Sequence, residues 1–339
     1  MKKQAITIAL CVKDGASVLP ESLPALAASL ARQACPVVIV NHLSTDHTLG
    51  LLEEWKRRHP NLEIEILTCL KAGISNARNM AWRAVKSEWV AFIDADCIAS
   101  PDWTLRAHDL LKLPIGMDPF VVGIGGRNLV PLHRGVFYHA LSALLNSFVG
   151  GHNSILNRTF SGNPTVDHVP TLNVLYRVSA LEKVNGFDPT ISRVGEDLDL
   201  SARLRQVGYQ LVADSKWTVT HLLRPDLSSW LKNMYLYGQG RIDHIQRHRE
   251  TFALKFMIPS FAAIGYIVSI LATPLYGMEP LLAVLGAHFA VVSIDLARTA
   301  RSNPDTTFIG RFLALFVVVF THLSYGLGSL NQITKRLKV

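Results

Sequence analysis

The chain has 339 residues (37.5 kDa), of which 49% are hydrophobic and 18% charged, with a mean hydropathy of +0.23. The charged fraction lies below the roughly 25% of an ordinary globular protein; it excludes a disordered, collagen-like or coiled-coil chain and argues against a wholly soluble one. Lys and Arg number 34 against 26 Asp and Glu, leaving +8 and a pI near 9.4. That balance suits anionic lipid or an anionic substrate, and without a Lys/Arg block interleaved with aromatics, nucleic acid is not an expected partner.

Met1-Lys2-Lys3 followed by Ala5 to Val12 imitates a secretory leader. Lys13-Asp14-Gly15 breaks the run after about eight apolar residues, with no cleavage-type site behind it, so Ile6 to Val12 is read as a buried strand. A helix over Leu23 to Gln33 follows, then a strand over Pro36 to Val40 and the polar loop Asn41 to Thr48. Leu49 to Arg58 is predicted helical, Leu62 to Leu67 a third strand, Ser75 to Val85 a helix and Trp89 to Ile93 a fourth strand. Alternating strands and helices predict a parallel sheet in an α/β fold, whose ligands sit at the carboxyl ends of the strands. Cys11, Cys35, Cys69 and Cys97 form no CxxC pair and read as reduced core thiols on the cytoplasmic side.

Further on, Gly123 to Gly126 reads as a tight backbone passage, Val136 to Val149 as an amphipathic or apolar helix, and 150–170, rich in Gly, Asn, Ser and His, as a loop. Leu198 to Gln206 reads as a helix, and Tyr209 to Val212 and Trp217 to Thr220 as short strands. Phe256 to Thr273, Pro280 to Ile294 (interrupted by His288) and Phe312 to Leu330 are uncharged apolar runs. A membrane crossing needs about 20 such residues, so the first and third qualify and the second is marginal. Arg298, Arg301 and Arg311 lie between the second and third runs, and Lys335, Arg336 and Lys338 follow the third. Positive residues favour the cytoplasmic side. A hairpin from the first two runs, with a re-entrant or interfacial third, keeps both clusters there, whereas three full crossings put the tail outside; the charge pattern leaves both open. The expected organisation is a catalytic region over 1–250, with halves 1–115 and 116–250, and a membrane-anchoring region over 251–339.

Four segments carry chemistry. Trp89-Val90-Ala91-Phe92-Ile93-Asp94-Ala95-Asp96 is an apolar strand delivering two carboxylates, i and i+2, to its carboxyl end, and hard oxygens so placed suit Mg²⁺ or Mn²⁺. Asn41 to Thr48 follows a strand directly; Ser44, Thr45 and Asp46 could cap the next helix or hold a nucleotide base or ribose. In Gly73-Ile74-Ser75-Asn76-Ala77-Arg78-Asn79, Ser75 or Asn76 is placed to cap, and Arg78 in the first turn calls for a nearby anion. Gly186-Phe187-Asp188 precedes Gly195-Glu196-Asp197-Leu198-Asp199-Leu200, where acidic residues suit a helix start and one of them can serve as a general base.

In order and spacing, ITIALCVKDG, STDHT, GISNARN, FIDAD and GFD…GED over roughly residues 5–225 resemble the family 2 glycosyltransferases with the GT-A fold. The tail and Tyr237-Gly238-Gln239-Gly240-Arg241 look like the branch that builds bacterial exopolysaccharides on membrane carriers. The resemblance implies a nucleotide-diphospho-sugar transferase fold, Rossmann-like, with a nucleotide-binding half and an acceptor-binding half. It implies nucleotide-sugar contacts from Asp14, Asn41, Asp46, Arg78 and Asp94, a Mg²⁺ or Mn²⁺ held by Asp96 with Asp94 and His221, and Asp197 as catalytic base with Glu196 beside it. Arg241 would reach a phosphate. The family's usual acidic residue at the start of the loop after the second strand is Asn41 here. Gln239-Gly240-Arg241-Ile242 lacks the Gln-x-x-Arg-Trp spacing of processive synthases, which argues against a polymerase. The expected activity is inverting, metal-dependent transfer of a sugar to a lipid-linked or polysaccharide acceptor at the bacterial inner membrane, catalytic region cytoplasmic, with membrane lipids and polysaccharide-assembly proteins as partners. The alternatives are a synthase that loads polyprenyl phosphate and an inactive, membrane-anchored homologue serving as an assembly partner.

Overall fold

The computed structural model describes residues 5–151, 159–191 and 194–337. In chain order the elements are β1 (Ile6–Val12), α1 (Leu19–Arg32), β2 (Val37–His42), α2 (Thr48–Arg58), β3 (Ile64–Cys69), α3 (Ile74–Ala84), β4 (Trp89–Ile93), β5 (Cys97–Ala99), α4 (Trp103–Lys112), α5 (Pro114–Met117), β6 (Val121–Leu129), α6 (Val136–Asn146), α7 (Phe148–Gly151), β7 (Asn173–Arg177), α8 (Val178–Lys183), α9 (Glu196–Gln206), β8 (Gln210–His221), α10 (Leu227–Arg247), α11 (Ile258–Tyr276), α12 (Glu279–Thr299) and α13 (Phe308–Arg336). They form two compact units. The first takes the described residues of Met1–Leu129 and Arg158–Leu222, the second those of Val130–Asn157 and Leu223–Val339. By packing, the chain therefore divides at 130, 158 and 223, whereas its hydropathy changes near 250.

The first unit is one eight-stranded sheet, order β3-β2-β1-β4-β7-β6-β8-β5. Strands β3, β2, β1 and β4 run parallel, as their alternation with helices predicts. β1 and β4 are buried along their whole length and, Thr7 apart, are apolar, as suits central strands covered on both faces. β7 enters antiparallel between β4 and β6, so the second half of the sheet is mixed. The stacked indoles of Trp103 and Trp217 fill the core there, and the side-chain amide of Asn173 ties them together: Trp103 Nε1 donates to its Oδ1 at 2.9 Å and its Nδ2 donates to the Trp217 carbonyl at 3.2 Å.

Gly123 to Gly126 is an interior stretch of β6, and the passage there is tight, since a Cβ on Gly126 would fall 2.5 Å from the Trp217 carbonyl oxygen. Two local expectations change. The two short strands near 209–220 are one long β8, because Asp214 accepts from the Lys216 and Trp217 amides at 3.1 and 2.7 Å and carries the chain across a register shift. The helix from Val136 breaks at Ser147, leaving α6 and α7. Of the predicted loop 150–170, residues 152–158 lie outside the described residues.

In the second unit three helical stretches are long and apolar enough to cross a membrane: Leu254–Tyr276, Glu279–Thr299 and Phe308–Arg336. The last is half buried within the protein, against 28% and 11% for the other two. It is covered by α10, and paired residues keep a nearly constant offset: Trp230 Nε1 donates to Thr321 Oγ1 (2.8 Å), Asn331 Nδ2 to the Tyr235 hydroxyl (2.6 Å) and Gln332 Nε2 to Asp243 Oδ1 (2.8 Å). The two helices therefore run parallel, side by side. A polar line also links the apolar helices: Tyr266 OH lies 3.2 Å from His288 Nδ1, His288 Nε2 lies 3.0 Å from His322 Nδ1, and His322 Nε2 lies 2.9 Å from the Val149 carbonyl. The carbonyl can only accept, so His322 donates from Nε2, and the chain is satisfied with both imidazoles neutral.

Close approach of α10 and α13 depends on missing side chains. A Cβ on Gly328 would fall 2.0 Å from the Tyr235 carbonyl oxygen, and one on Gly238 equally near that of Tyr325. Gly328→Val is expected to push these backbones apart and destabilise the detergent-solubilised protein by about 1–3 kcal/mol, read as a lowered melting temperature. Gly286→Ala, whose Cβ meets nothing within 4 Å, should leave it unchanged.

Candidate active site

The parallel order of β1, β2 and β4 brings the loops after Val12, His42 and Ile93 to one end of the sheet. The first two loops are knitted together. The Asp14 amide donates to Ser44 Oγ (3.0 Å), Asp14 Oδ1 accepts from the Thr45 amide (2.7 Å), and Asp46 accepts from the Ala16 and Thr48 amides (both 3.0 Å) and the Thr48 hydroxyl. Asp14 adopts φ 49°, a left-handed conformation. The Thr48 hydroxyl lowers the Asp46 carboxyl below its ordinary range. Asp46 thus shapes the loop at the start of α2. Asn41 is buried, and its Oδ1 makes no hydrogen bond among the described residues, which leaves an acceptor for a ligand.

Arg78 is buried on α3 between two carboxylates. Its Nη2 donates to Asp94 at 3.1 Å, and its Nη1 donates to Glu196, 118 residues away. The anion expected near Arg78 is therefore supplied by the chain itself. Burial disfavours the guanidinium charge, and Asp94 and Glu196 more than restore it, so its pKa is raised. Burial also pushes the Asp94 and Glu196 carboxyls up, against the pull of Arg78.

The neighbouring Asn79 clamps a second segment: its Nδ2 donates to the Phe187 carbonyl (2.7 Å), and its Oδ1 accepts from the Phe187 amide (2.9 Å) and Trp82 Nε1 (2.8 Å). Gly186 lies against this clamp with φ 65°, and a Cβ there would fall 2.4 Å from Asn79 Oδ1. The GISNARN and GFD segments are thus two halves of one contact. Neither expected cap forms on α3: Gly73 occupies the N-cap position, while Ser75 Oγ donates to the Ile191 carbonyl and Asn76 Nδ2 to that of Ala72.

On the other side, β5 pairs antiparallel with β8, Cys97 opposite His221, and the Leu222 amide donates to the Asp96 carbonyl at 2.8 Å. His221 Nε2 then lies 3.4 Å from Asp96 Oδ2. Asp96, Cys97 and His221 present ligand atoms within 4.8 Å of one another. A carboxylate with an imidazole suits a divalent ion such as Mn²⁺. The Cys97 thiol is raised well above its ordinary value by burial and by the Asp96 and Asp94 charges, so it is the poorest donor of the three.

Asp197 opens α9 one residue after Glu196. Its Oδ1 accepts from the Leu198 amide (2.8 Å), and its Oδ2 lies 3.2 Å from His168 Nε2. Burial raises this carboxyl, but His168, helped by Arg78 and the Leu198 amide, outweighs it and holds the pKa down at about 2. Asp197 is thus ionised at neutral pH. Of the residues singled out in the sequence, Arg78, Asp94, Glu196 and Asp197 form one charged network and Asp96 and His221 a second, while Asp14 and Asp46 belong to the adjoining loops. Arg241 lies in the other unit, its guanidinium 4.2 Å over the Phe256 ring and its Nε donating to the Tyr325 hydroxyl at 3.3 Å. His168 escaped sequence reasoning, because one histidine in a Gly-, Asn- and Ser-rich stretch carries no spacing signal.

Glycosyl transferase family 2 matches residues 7–184, more than half of the chain. The chain belongs to glycosyl transferase family 2. Among curated family members it is 28% identical over 232 residues to the pre-mycofactocin glycosyltransferase of Mycobacterium tuberculosis, covering 67% of this chain and 47% of that protein. It is 26% identical over 250 residues to the succinoglycan biosynthesis protein ExoA of Rhizobium meliloti, covering 74% and 72%. The chain thus spans about half the length of the first of these relatives. Among solved structures, the mannosyltransferase PcManGT of Pyrobaculum calidifontis, in complex with GDP-Man and Mn²⁺, aligns over 99% of this chain and 89% of its own, with a TM-score of 0.58 and 18% identity. S. aureus TarS 1–349, in complex with UDP, aligns over 98% and 92%, with a TM-score of 0.52 and 14% identity. The fold is GT-A, followed by three apolar helices able to span a membrane.

Removing the Arg78 charge leaves the buried Glu196 and the partly buried Asp94 without their shared cation. Arg78→Met is expected to cost about 3–5 kcal/mol of stability. The two carboxyls already have raised values and would rise further. A carboxyl raised in the folded state favours folding while protonated and opposes it as pH rises. The deficit in melting temperature should therefore be largest near pH 7.5 and shrink toward pH 5.

Proposed function

We propose that this family 2 member transfers a sugar, with inversion, from a nucleoside-diphosphate sugar to a membrane-carried glycan acceptor in polysaccharide assembly. The observation that carries this reading is the pairing of Asp96 with His221 beside Asp94, together with an ionised Asp197 on the facing helix start. The GDP-Man and Mn²⁺ named for the mannosyltransferase, the UDP named for TarS, and the succinoglycan role named for ExoA support it by analogy.

In this reading Asp96 and His221 hold Mg²⁺ or Mn²⁺, with Asp94 beside them. The ion supplies positive charge against the diphosphate leaving group. Asn41, with its free acceptor, and the loop braced by Asp14 and Asp46 hold the nucleoside. Arg78 keeps Asp94 and Glu196 in place. Asp197 accepts the proton of the acceptor hydroxyl as that oxygen bonds to the anomeric carbon. The bond from that carbon to the phosphate oxygen breaks on the opposite side, and the nucleoside diphosphate departs with its electron pair. One displacement inverts the centre. Arg241 remains a candidate phosphate contact, with its planar face on Phe256.

For the membrane part we propose a bacterial inner-membrane enzyme with α11 and α12 as a transmembrane hairpin and α13 lying against α10. Both basic clusters and the catalytic region then stay cytoplasmic. The exposed residues Phe308, Phe312, Phe316 and Phe320 recur every four positions on α13, a stripe that suits contact with lipid.

Nucleoside diphosphate release should be measured on detergent-purified protein with a panel of sugar nucleotides, Mg²⁺ or Mn²⁺, and with or without native lipid extract. Metal-dependent release that rises with the extract and falls at least 100-fold in Asp96→Asn is the expected result, by analogy with other electrostatic stabilisers. A glycosyl phosphate as product would instead favour the polyprenyl-phosphate synthase, and no release above Asp96→Asn from folded protein would favour the inactive homologue. Topology is checked separately. The four native cysteines are buried, so a membrane-impermeant maleimide applied to intact cells should label Met278→Cys but neither Asp305→Cys nor Lys335→Cys. Labelling of Lys335→Cys would mean a third crossing.

A further inference from the structure

The segment carrying His168 is laid along the helix that carries Asp197. Asp197, Ser201 and Arg205 follow one another at i, i+4 and i+8, on one face of α9. Each meets one residue of the segment: Arg205 Nη1 pairs with Asp167 Oδ1 at 3.0 Å, Ser201 Oγ accepts from the Val169 amide at 3.5 Å, and Asp197 Oδ2 faces His168 Nε2 at 3.2 Å. This docking sets the register that brings the imidazole to the carboxylate. The Nε2 atom is buried and makes no well-aligned hydrogen bond among the described residues, so the ring is held close to the carboxylate without being locked to it. The Leu198 amide holds the other oxygen. Both faces of the carboxylate are therefore set by the protein.

We propose that His168 is a positioning residue of the transfer reaction, orienting the Asp197 carboxylate toward the acceptor hydroxyl and keeping it ionised as its surroundings become dry. The inference rests on the reading of Asp197 as proton acceptor. The other charged or titratable groups facing Asp197 are Arg78 from α3, Glu196 beside it and the Tyr176 hydroxyl from β7. Arg78 already shares its charge with Asp94 and Glu196, and Glu196 opposes ionisation of its neighbour, so His168 is the largest favourable influence on Asp197. When Asp197 takes the acceptor proton, the attraction between the two is lost, and deprotonation by solvent restores it for the next turnover.

The sign of the effect follows from linkage. A nearby positive charge extends the ionised range of a carboxyl toward acid. With the donor identified by the nucleotide-sugar panel, kcat/KM is measured from pH 3 to 8 for the full-length protein and for His168→Gln, His168→Lys and Asp197→Asn. In the parent the limb set by Asp197 lies below this range; His168→Gln should move it up into the range, by about 1–3 pH units, with KM for the donor unchanged. His168→Lys should bring the limb back toward that of the parent. Asp197→Asn should abolish turnover. An unmoved acid limb in His168→Gln overturns the role of His168 and leaves Asp197 as the base. If His168→Gln and His168→Lys are both inactive at every pH while melting like the parent, the charge role is equally overturned. Retained turnover in Asp197→Asn, or a panel with no active donor, sinks the reading of the base and this inference with it.

Discussion

The Arg78 guanidinium is buried, and a buried cation persists only when carboxylates and hydrogen bonds replace the water it has lost. Asp94 arrives from the carboxyl end of β4 and Glu196 from the start of α9. One charge thus joins the first half of the sheet to the helix that bears Asp197. Because Asn79, the next residue, clamps Phe187, a single turn of α3 fixes both segments that lead to the second acidic pair. The site's geometry depends on this joint, since the shared cation offsets the lost hydration of both the buried Glu196 and the partly buried Asp94.

Around the joint, environment separates groups of the same chemical type. Burial raises Asp94 and Glu196, whereas the histidine beside Asp197 lowers it. In the proposed reaction, carboxylates pushed in opposite directions would divide the labour of holding charge and moving protons. Asp96 belongs to a third setting, next to an imidazole brought across by the pairing of β5 with β8. The backbone ladder sets this contact: the register that places Cys97 opposite His221 also brings the His221 imidazole to the Asp96 carboxylate, the pair proposed to hold a divalent ion.

The helical unit obeys a different constraint. Apolar helices gain little from contact with one another when lipid is the alternative, so their association relies on close backbone approach and on polar links. Gly238 and Gly328 permit the first between α10 and α13, and the line from Tyr266 through His288 and His322 to Val149 supplies the second. The position of His288 inside an apolar run is thus accounted for by its partners. α13 is apolar enough to span a membrane, yet half of it is covered by protein, chiefly because α10 offers it a polar and small-residue face.

Patterns local in the chain are legible in its residues alone. Ile6–Val12 and Trp89–Ile93 are the strands their continuous apolar runs imply, and the carboxylates after Ile93 sit at a strand end because a parallel sheet leaves them nowhere else. The family follows from the order of five short segments. Pairings across long separations are not legible in this way. Arg78 meets Glu196 over 118 residues, β7 enters the sheet antiparallel, and a loop histidine reaches Asp197 only because Asp167 and Val169 dock on the same helix face. By itself, then, the sequence determined the first four strands, the acidic strand end, the apolar helices and the family, since each is written in the burial demands of neighbouring residues. Tertiary structure alone decided which charges meet, because the partner of a buried ion is chosen by how separate elements pack, and no periodicity along the chain records that choice.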